Sequence, residues 1–207
     1  MKLIDTFDEG ERDSVLERQR ESSAYHALKS EELRKSIEQI RLWGDPDTEA
    51  VFEALLFSNV CLHDLSSLMS DILVEEDGWR QRLQLRHMIL IVFELTKSHP
   101  HVFGDKFREA ASNLGLGQED QSAIDAKAKG VNKYFNTHAS RWRVLRDSTT
   151  AHYEKSGFEL YRSITSIDGP QCVLDALTVY TEAKAYEEFF LSKVEGAIAK
   201  KAEMRNK

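Results

Sequence analysis

An arginine, an aspartate and a histidine lie close together in one short stretch of the chain, LRDSTTAHYEK, at residues 145–155. An arginine keeps its charge and can hold two phosphate oxygens in a fork, and a histidine titrates near neutrality and can take or give a proton. Arg146 and His152 therefore carry the groups needed to cut RNA without a metal. A ribose 2′-hydroxyl attacks its own neighbouring phosphate once a base removes its proton and a cation neutralises the developing charge.

Each residue of this stretch has a predicted role. His152 is the general base or acid, Arg146 stabilises the phosphate charge, and Asp147 orients either group by hydrogen bonding. The residues between them are small or hydroxylated, which leaves room for a ligand. Further substrate contacts are predicted for Arg141, Arg143, Ser148 and Thr150.

The spacing alone is a weak signal, because the same chain contains a second arginine–histidine match. Arg80 and Arg82 precede His87 with six and four residues between, in GWRQRLQLRHMIL, compared with five between Arg146 and His152. We interpret those residues as the polar start of an apolar helix. The stretch at 145–155 differs because an aspartate follows its arginine and because it ends a basic segment.

LRDSTTAHYEK resembles the signature of the HEPN superfamily, in which an arginine, then Asn, Asp or His, and then a histidine a few residues later lie on a helix of a small bundle. It is most similar to the abortive-infection-type branch. The resemblance implies motif positions at Arg146, Asp147 and His152, a homodimer through the motif helix, and a metal-independent ribonuclease of a toxin–antitoxin or phage-defence system with an antitoxin partner. Other members of the superfamily are non-catalytic.

One feature departs from that superfamily. Some of its toxins carry a tyrosine two positions after the histidine, where a partner nucleotidyltransferase inactivates them. Here Tyr153 directly follows His152 and Glu154 comes next. This mode of control is therefore not indicated.

The separation of Arg146 and His152 favours a dimer. Six residues along a straight helix turn the two side chains about 120° apart and about 9 Å along the axis. A two-fold dimer through the motif helix would place two arginines and two histidines across one groove. We therefore expect a homodimer with a composite site.

Cations precede the motif in a segment without acidic residues. No Asp or Glu occurs from Ala126 to Arg146, although the chain carries a net charge of −7. The cations of this segment are Lys127, Lys129, Lys133, Arg141, Arg143 and Arg146. The segment either steers a polyanion to one site or pairs with acidic neighbours inside the bundle.

The composition indicates a soluble helical protein. Of the 207 residues, 41% are hydrophobic and 30% charged, while only 10 are Gly and 3 are Pro, which predicts few turns and long elements. The two cysteines, Cys61 and Cys172, lie far apart, which argues against a disulfide framework or a zinc site. The start of the chain lacks a signal peptide's apolar core, and MILIVF at 88–93 is too short to span a membrane, so we expect a cytoplasmic protein.

Hydrophobic periodicity predicts an all-α, up-and-down bundle of about five to seven helices, formed by residues 1–207 as one domain. Residues 1–44 either belong to that domain or form an N-terminal helical extension of it. Helices are predicted at 11–43 (with a break and a new cap at Ser30), 48–74, 79–98, 105–114, 120–156 and from 168–170 to 203. Two segments are predicted to be irregular, SHPHVFGD at 98–105 and 156–170.

Other candidate sites have simpler interpretations. His99, His101 and Asp105 have metal-ligating side chains, but a polar turn with a helix cap at Asp105 explains them as well. GLGQED lacks the strand and lysine of a P-loop. Trp142 either enters the core or stacks on a base. Two further sets are interpreted as structural: the pair His63–Asp64, and the core residues Tyr180, Tyr186, Phe189 and Phe190.

The sequence thus predicts a cytoplasmic, homodimeric endoribonuclease that needs neither a metal nor a cofactor and acts on RNA. Two alternatives remain open. One is a non-catalytic helical module that binds a nucleotide, RNA or a protein partner. The other is a structural dimer in which Arg146 and His152 pair with acidic residues.

Overall fold

The chain folds into helices joined by short connections. The computed structural model describes residues 8–149 and 156–205. The helices are α1 (Glu9–Trp43), α2 (Pro46–Val74), α3 (Gly78–Val102), α4 (Asp105–Asn113), α5 (Gln118–Thr149), α6 (Gly157–Thr165) and α7 (Gly169–Arg205). Those two ranges contain seven helices and no strand, and the predicted all-α fold class is confirmed.

The long helices alternate in direction. His99 of α3 lies beside Asn132 of α5, whereas Phe93, earlier in α3, lies beside Arg146, later in α5. The two helices are therefore antiparallel, and the start of α3 lies at the same end of the bundle as the end of α5. Ion pairs show that two other helix pairs are antiparallel as well. Arg41, at the end of α1, pairs with Glu49 and Glu53 near the start of α2. Between α5 and α7, Asp120 pairs with Lys193 and Arg141 with Asp175, so the start of one helix lies beside the end of the other.

Polar side chains cap the N-termini of several helices at the turns between them. The Asp77 carboxylate accepts hydrogen bonds from the backbone N–H groups of Trp79 and Arg80, at 2.9 and 2.8 Å. Gly44 ends α1 with a φ of 65°, a left-handed conformation that glycine adopts without strain. Asp168 accepts from the backbone N–H of Gln171 at 3.2 Å, which agrees with the predicted start of the last helix.

Four details of the sequence prediction are wrong. Helix α1 continues through Ser30 without a break. SHPHV belongs to α3, with Pro100 inside its last turn. Gly104, not Asp105, is the N-cap of α4, and no side-chain hydrogen bond caps that helix. The segment at 156–170 contains α6, which begins with a capping box between Ser156 and Glu159.

The core runs through all long helices. The predicted apolar faces of α2 and α7 are buried, including Leu62, Met69 and Phe190, each 0% exposed. Near the middle of α1, the apolar side chain of Leu28 is 71% exposed while the polar residues Ser22 and His26 are buried. Helix α1 therefore packs on α2 with apolar side chains near its end and polar ones near its middle.

Candidate functional site

The motif arginine lies in the last turn of α5 and faces inward. Arg146 is four residues after the buried Trp142, so both side chains lie on the face of α5 that packs on the bundle. The guanidinium carbon of Arg146 lies 4.1 Å from the centre of the Phe93 ring. A cation over an aromatic face at this distance is attracted by the ring's quadrupole. Helix α3 thus positions the charge that α5 carries.

Asp147 binds the same guanidinium from the next position in the helix. The Nε–H and Nη2–H groups of Arg146 both donate to Oδ1 of Asp147, at 2.8 and 2.5 Å. The two side chains are 29% and 43% exposed, so the pair lies at the surface of the bundle. The predicted orienting role of Asp147 toward the arginine is consistent with this contact.

A second cation lies beside the same ring. The Lys97 ammonium is 5.7 Å from the centre of the Phe93 ring, and it makes no ion pair with any residue in the described ranges. Two charges, one from α3 and one from α5, therefore lie within 5.7 Å of one ring centre. The sequence prediction missed Phe93 and Lys97, because they are far from the motif in sequence.

The remaining motif residues divide between described and undescribed parts of the chain. The Ser148 hydroxyl donates to the backbone oxygen of Leu145 at 2.9 Å. His152 and Thr150 lie outside the described residues, as does the predicted continuation of the motif helix over 150–155, while at Ser156 the predicted helix is wrong because that residue is the N-cap of α6. The structure describes the motif helix up to Thr149, so the separation between Arg146 and His152 stays a prediction.

The basic segment of α5 does not form one continuous face. Arg141 points to α7, where its Nη2 lies 2.5 Å from Oδ2 of Asp175. The two groups form an ion pair, although the geometry is not that of a hydrogen bond. Arg143 is exposed and forms no ion pair with a described residue, and Lys129 and Lys133 are exposed as well. Pairing with an acidic neighbour is thus observed for Arg141, whereas Arg143, Lys129 and Lys133 form no ion pair with a described residue.

His99 is a buried structural residue. Its ring is 0% exposed and contacts the rings of Phe103, Phe135 and Tyr186. Nδ1 lies 3.2 Å from the side-chain oxygen of Asn132. Burial lowers the pKa of His99 to about 4. His101 is exposed, so the two histidines do not converge, and no cluster of three metal-ligating side chains occurs among the described residues.

Trp142 and His63 also have structural environments. Trp142 is 1% exposed, so of its two predicted roles the core role is the one observed. Nδ1 of His63 lies 3.1 Å from the backbone oxygen of Ser23 on α1, while Asp64 is exposed. His63 therefore pairs with Ser23 and not with Asp64. Tyr180, Tyr186 and Phe190 are buried as predicted, and Phe189 is partly buried.

A buried polar network joins α1, α2 and α7, and the sequence prediction missed it. Nδ1 of His26 lies 2.9 Å from Oδ1 of Asn59, and Nε2 lies 3.2 Å from the Tyr180 hydroxyl. That hydroxyl also hydrogen bonds Ser22, and the Asn59 amide donates to Oε1 of Glu187. Burial raises the pKa of Glu187 to about 7 and lowers that of His26. Ser22 and Tyr180 also line a groove of about 570 Å³ between α1 and α7.

Comparisons with known proteins give no relative for this chain. No protein-family model matches it, and neither the curated proteins nor the solved structures include a significant match. Within the described residues, no helix combines the length and the apolar character that crossing a membrane requires.

Proposed function

We propose that the protein is a metal-independent endoribonuclease of the HEPN type. One observation supports this most directly, namely that the Arg146–Asp147 pair is held against Phe93 with Lys97 beside the same ring. Two cations next to an apolar surface suit a phosphodiester, because a fork-shaped guanidinium and an ammonium can share its two free oxygens.

The proposed reaction uses the 2′-hydroxyl of RNA as the nucleophile. His152 removes its proton or protonates the leaving 5′-oxygen, and Arg146 stabilises the charge of the five-coordinate phosphorus. Asp147 keeps the guanidinium in place. Lys97 adds a second positive charge on the substrate side. We propose RNA as the substrate, with Arg143, Ser148 and Thr150 as contacts along it.

We further propose that two copies of the chain form the complete site in the cytoplasm. A two-fold axis beside the end of α5 would bring the arginine of one copy toward the histidine of the other. A cognate antitoxin is the implied partner that keeps such an enzyme inactive. Light scattering at micromolar concentration should give the mass of a dimer, and a monomeric mass would contradict the composite site.

The test is RNA cleavage in the presence of a metal chelator. The parent protein should cut RNA, and Arg146→Ala and His152→Ala should each lose at least about a hundredfold in rate. Arg34→Ala and His101→Ala are matched controls, because both residues are exposed and lie away from Phe93. Cleavage by both motif variants at the parent rate would refute the proposal.

A non-catalytic binding module is the second candidate, and one contact favours it. Asp147 already neutralises the Arg146 charge through two hydrogen bonds, as in structural arginines. A module of this kind would retard RNA in a gel without cutting it, whereas the enzyme would keep cutting with chelator present. If Arg146 and His152 only support a dimer, both alanine variants would instead lower its stability.

A further inference from the structure

Two exposed aromatic rings stack on each other where α3 begins and α6 packs on it. The ring centres of Trp79 and Tyr161 are 6.1 Å apart and their planes differ by 17°. Trp79 is 56% exposed and Tyr161 is 55% exposed, and Phe158 beside them on α6 is 69% exposed. The buried ring pairs of the core, such as Phe103–Tyr186, meet edge to face, whereas this pair is stacked and exposed, so each ring has an outer face open to a ligand.

Four arginines lie on the two helices that carry the aromatic pair. Arg80, Arg82 and Arg86 lie on α3 and Arg162 lies on α6, and none of them forms an ion pair with another residue in the described ranges. The Nη1–H of Arg82 donates to the backbone oxygen of Ile164 at 3.0 Å, which ties α6 to α3.

The acidic groups closest in sequence to this surface are already used by helix caps. Asp77 accepts from the backbone N–H groups that begin α3, and Glu159 belongs to the capping box of α6. The buried Nε of Arg86 has no hydrogen-bond partner among the described residues. No ion pair with a described residue neutralises the four arginines, and Arg80 and Arg162, which make no hydrogen bond to a described residue through their side chains, are the ones open to an external anion.

A continuous face of α3 connects this surface to the candidate site. Trp79, Leu83, Arg86, Leu90 and Phe93 follow one another at intervals of four and three residues, which places them on one side of the helix. Phe93 contacts Arg146 at the far end of this row. Because α3 and α5 are antiparallel, the row begins at the end of the bundle where α5 ends.

We propose that single-stranded RNA binds along this face of α3, with bases stacked on Trp79 and Tyr161 and phosphates on the arginines. The inference rests on the proposed ribonuclease function and specifies its substrate as unpaired RNA. Aromatic faces with neighbouring cations bind single strands with little sequence preference, whereas a duplex hides its base faces. A second copy of the chain fits this surface poorly, because in a two-fold contact the arginines of one copy would lie opposite the same arginines of the other and repel them.

Binding of a fluorescent single-stranded 2′-O-methyl oligonucleotide tests the inference without cleavage, since that probe lacks the nucleophile. Trp79→Ala and Tyr161→Ala should each weaken its binding about tenfold. Trp43→Ala is the matched control, because Trp43 is also 56% exposed but lies at the end of α1, and it should bind like the parent. Trp79→Phe should retain most of the affinity, and circular dichroism verifies that each variant is folded.

The outcomes separate this inference from the proposed function. Loss of binding in the two variants supports the surface even if no RNA is ever cut, in which case only the ribonuclease proposal fails. Unchanged binding, absence of binding by the parent, or equal binding of a duplex of the same sequence would overturn the inference. A changed molecular mass in Trp79→Ala with unchanged affinity would overturn it too, and would assign the face to contact between copies.

Discussion

The guanidinium of Arg146 lies on the ring of Phe93, 4.1 Å from its centre, and this contact joins the end of α5 to the middle of α3. A buried aromatic ring thereby fixes the position of the charge that the proposed chemistry uses. Phe93 itself is 3% exposed, so it acts on the site only through its neighbours.

Replacing Phe93 with leucine should therefore impair RNA cleavage while leaving the protein folded. Leucine keeps most of the buried volume but loses the cation–ring attraction, at a cost of about 1 kcal/mol in stability. We expect a lower kcat with a smaller change in KM, because the arginine is less well positioned for the transition state. Phe107→Leu, at an equally buried aromatic position away from Arg146, is the control, and an equal loss in both variants would contradict the positioning role.

The arginines at 141 and 143 should differ in their effect on RNA binding. Arg143→Ala should weaken RNA affinity by roughly threefold to tenfold at low salt, because its exposed charge has no ion-pair partner in the described ranges. Arg141→Ala should change the affinity less than about twofold, since Asp175 already neutralises that charge. Titrations of both variants at two salt concentrations measure the difference, and a larger effect at Arg141 would reverse the assignment.

His99 should make the protein less stable in mild acid. Its pKa in the folded protein is about 4, below the value of 6.5 for an unperturbed histidine, so the unfolded chain binds a proton that the folded chain resists. The contribution of His99 to stability is full above pH 6.5 and falls as the pH drops toward 4, by on the order of 3 kcal/mol, while Glu187 contributes with the opposite sign. Urea unfolding of the parent and of His99→Gln across this pH range gives the His99 contribution as the difference between the two profiles. Two profiles with the same slope would disprove the assignment.

Glu187 should act in the opposite direction. Its pKa is raised from 4.5 to about 7, so the unfolded chain ionises first and the contribution of Glu187 to stability falls as the pH rises from 4.5 to 7. Glu187→Gln should remove this loss and make the protein more stable than the parent at pH 8, by on the order of 3 kcal/mol. Urea unfolding at pH 8 measures the difference, and equal stability of Glu187→Gln and the parent would contradict the raised pKa of Glu187.

The capped helices and apolar faces of the fold were predictable, and the exceptions have physical causes. Pro100 was expected to end α3, but it lies in the last turn, where the helix continues because the Phe103 N–H still reaches the His99 oxygen at 2.9 Å. The buried His99 ring anchors that turn, and burial of a histidine depends on tertiary contacts. Helix α6 was missed although Ser156 and Glu159 have the spacing of a capping box, because a helix of 9 residues is too short to show a clear apolar period.

The candidate site was predictable only in part. The adjacent motif residues Arg146 and Asp147 pair directly, which their positions in one helical turn allow. Phe93 and Lys97 reach the same place from another helix, and one sequence contains no signal that joins them to the motif. For the same reason, the partners Asn59 and Glu187 of the buried network could not be found from periodicity alone.

The chain of polar groups from Ser22 through Tyr180, His26 and Asn59 to Glu187 has a consequence for how the bundle selects its arrangement. Leucine and valine faces tolerate sliding by one turn, since one methyl group replaces another. Here a shift of α1, α2 or α7 along its axis would leave buried donors and acceptors without hydrogen-bond partners, at a cost of several kcal/mol. These few side chains thus select one axial alignment of the three helices among several that would bury the same apolar area.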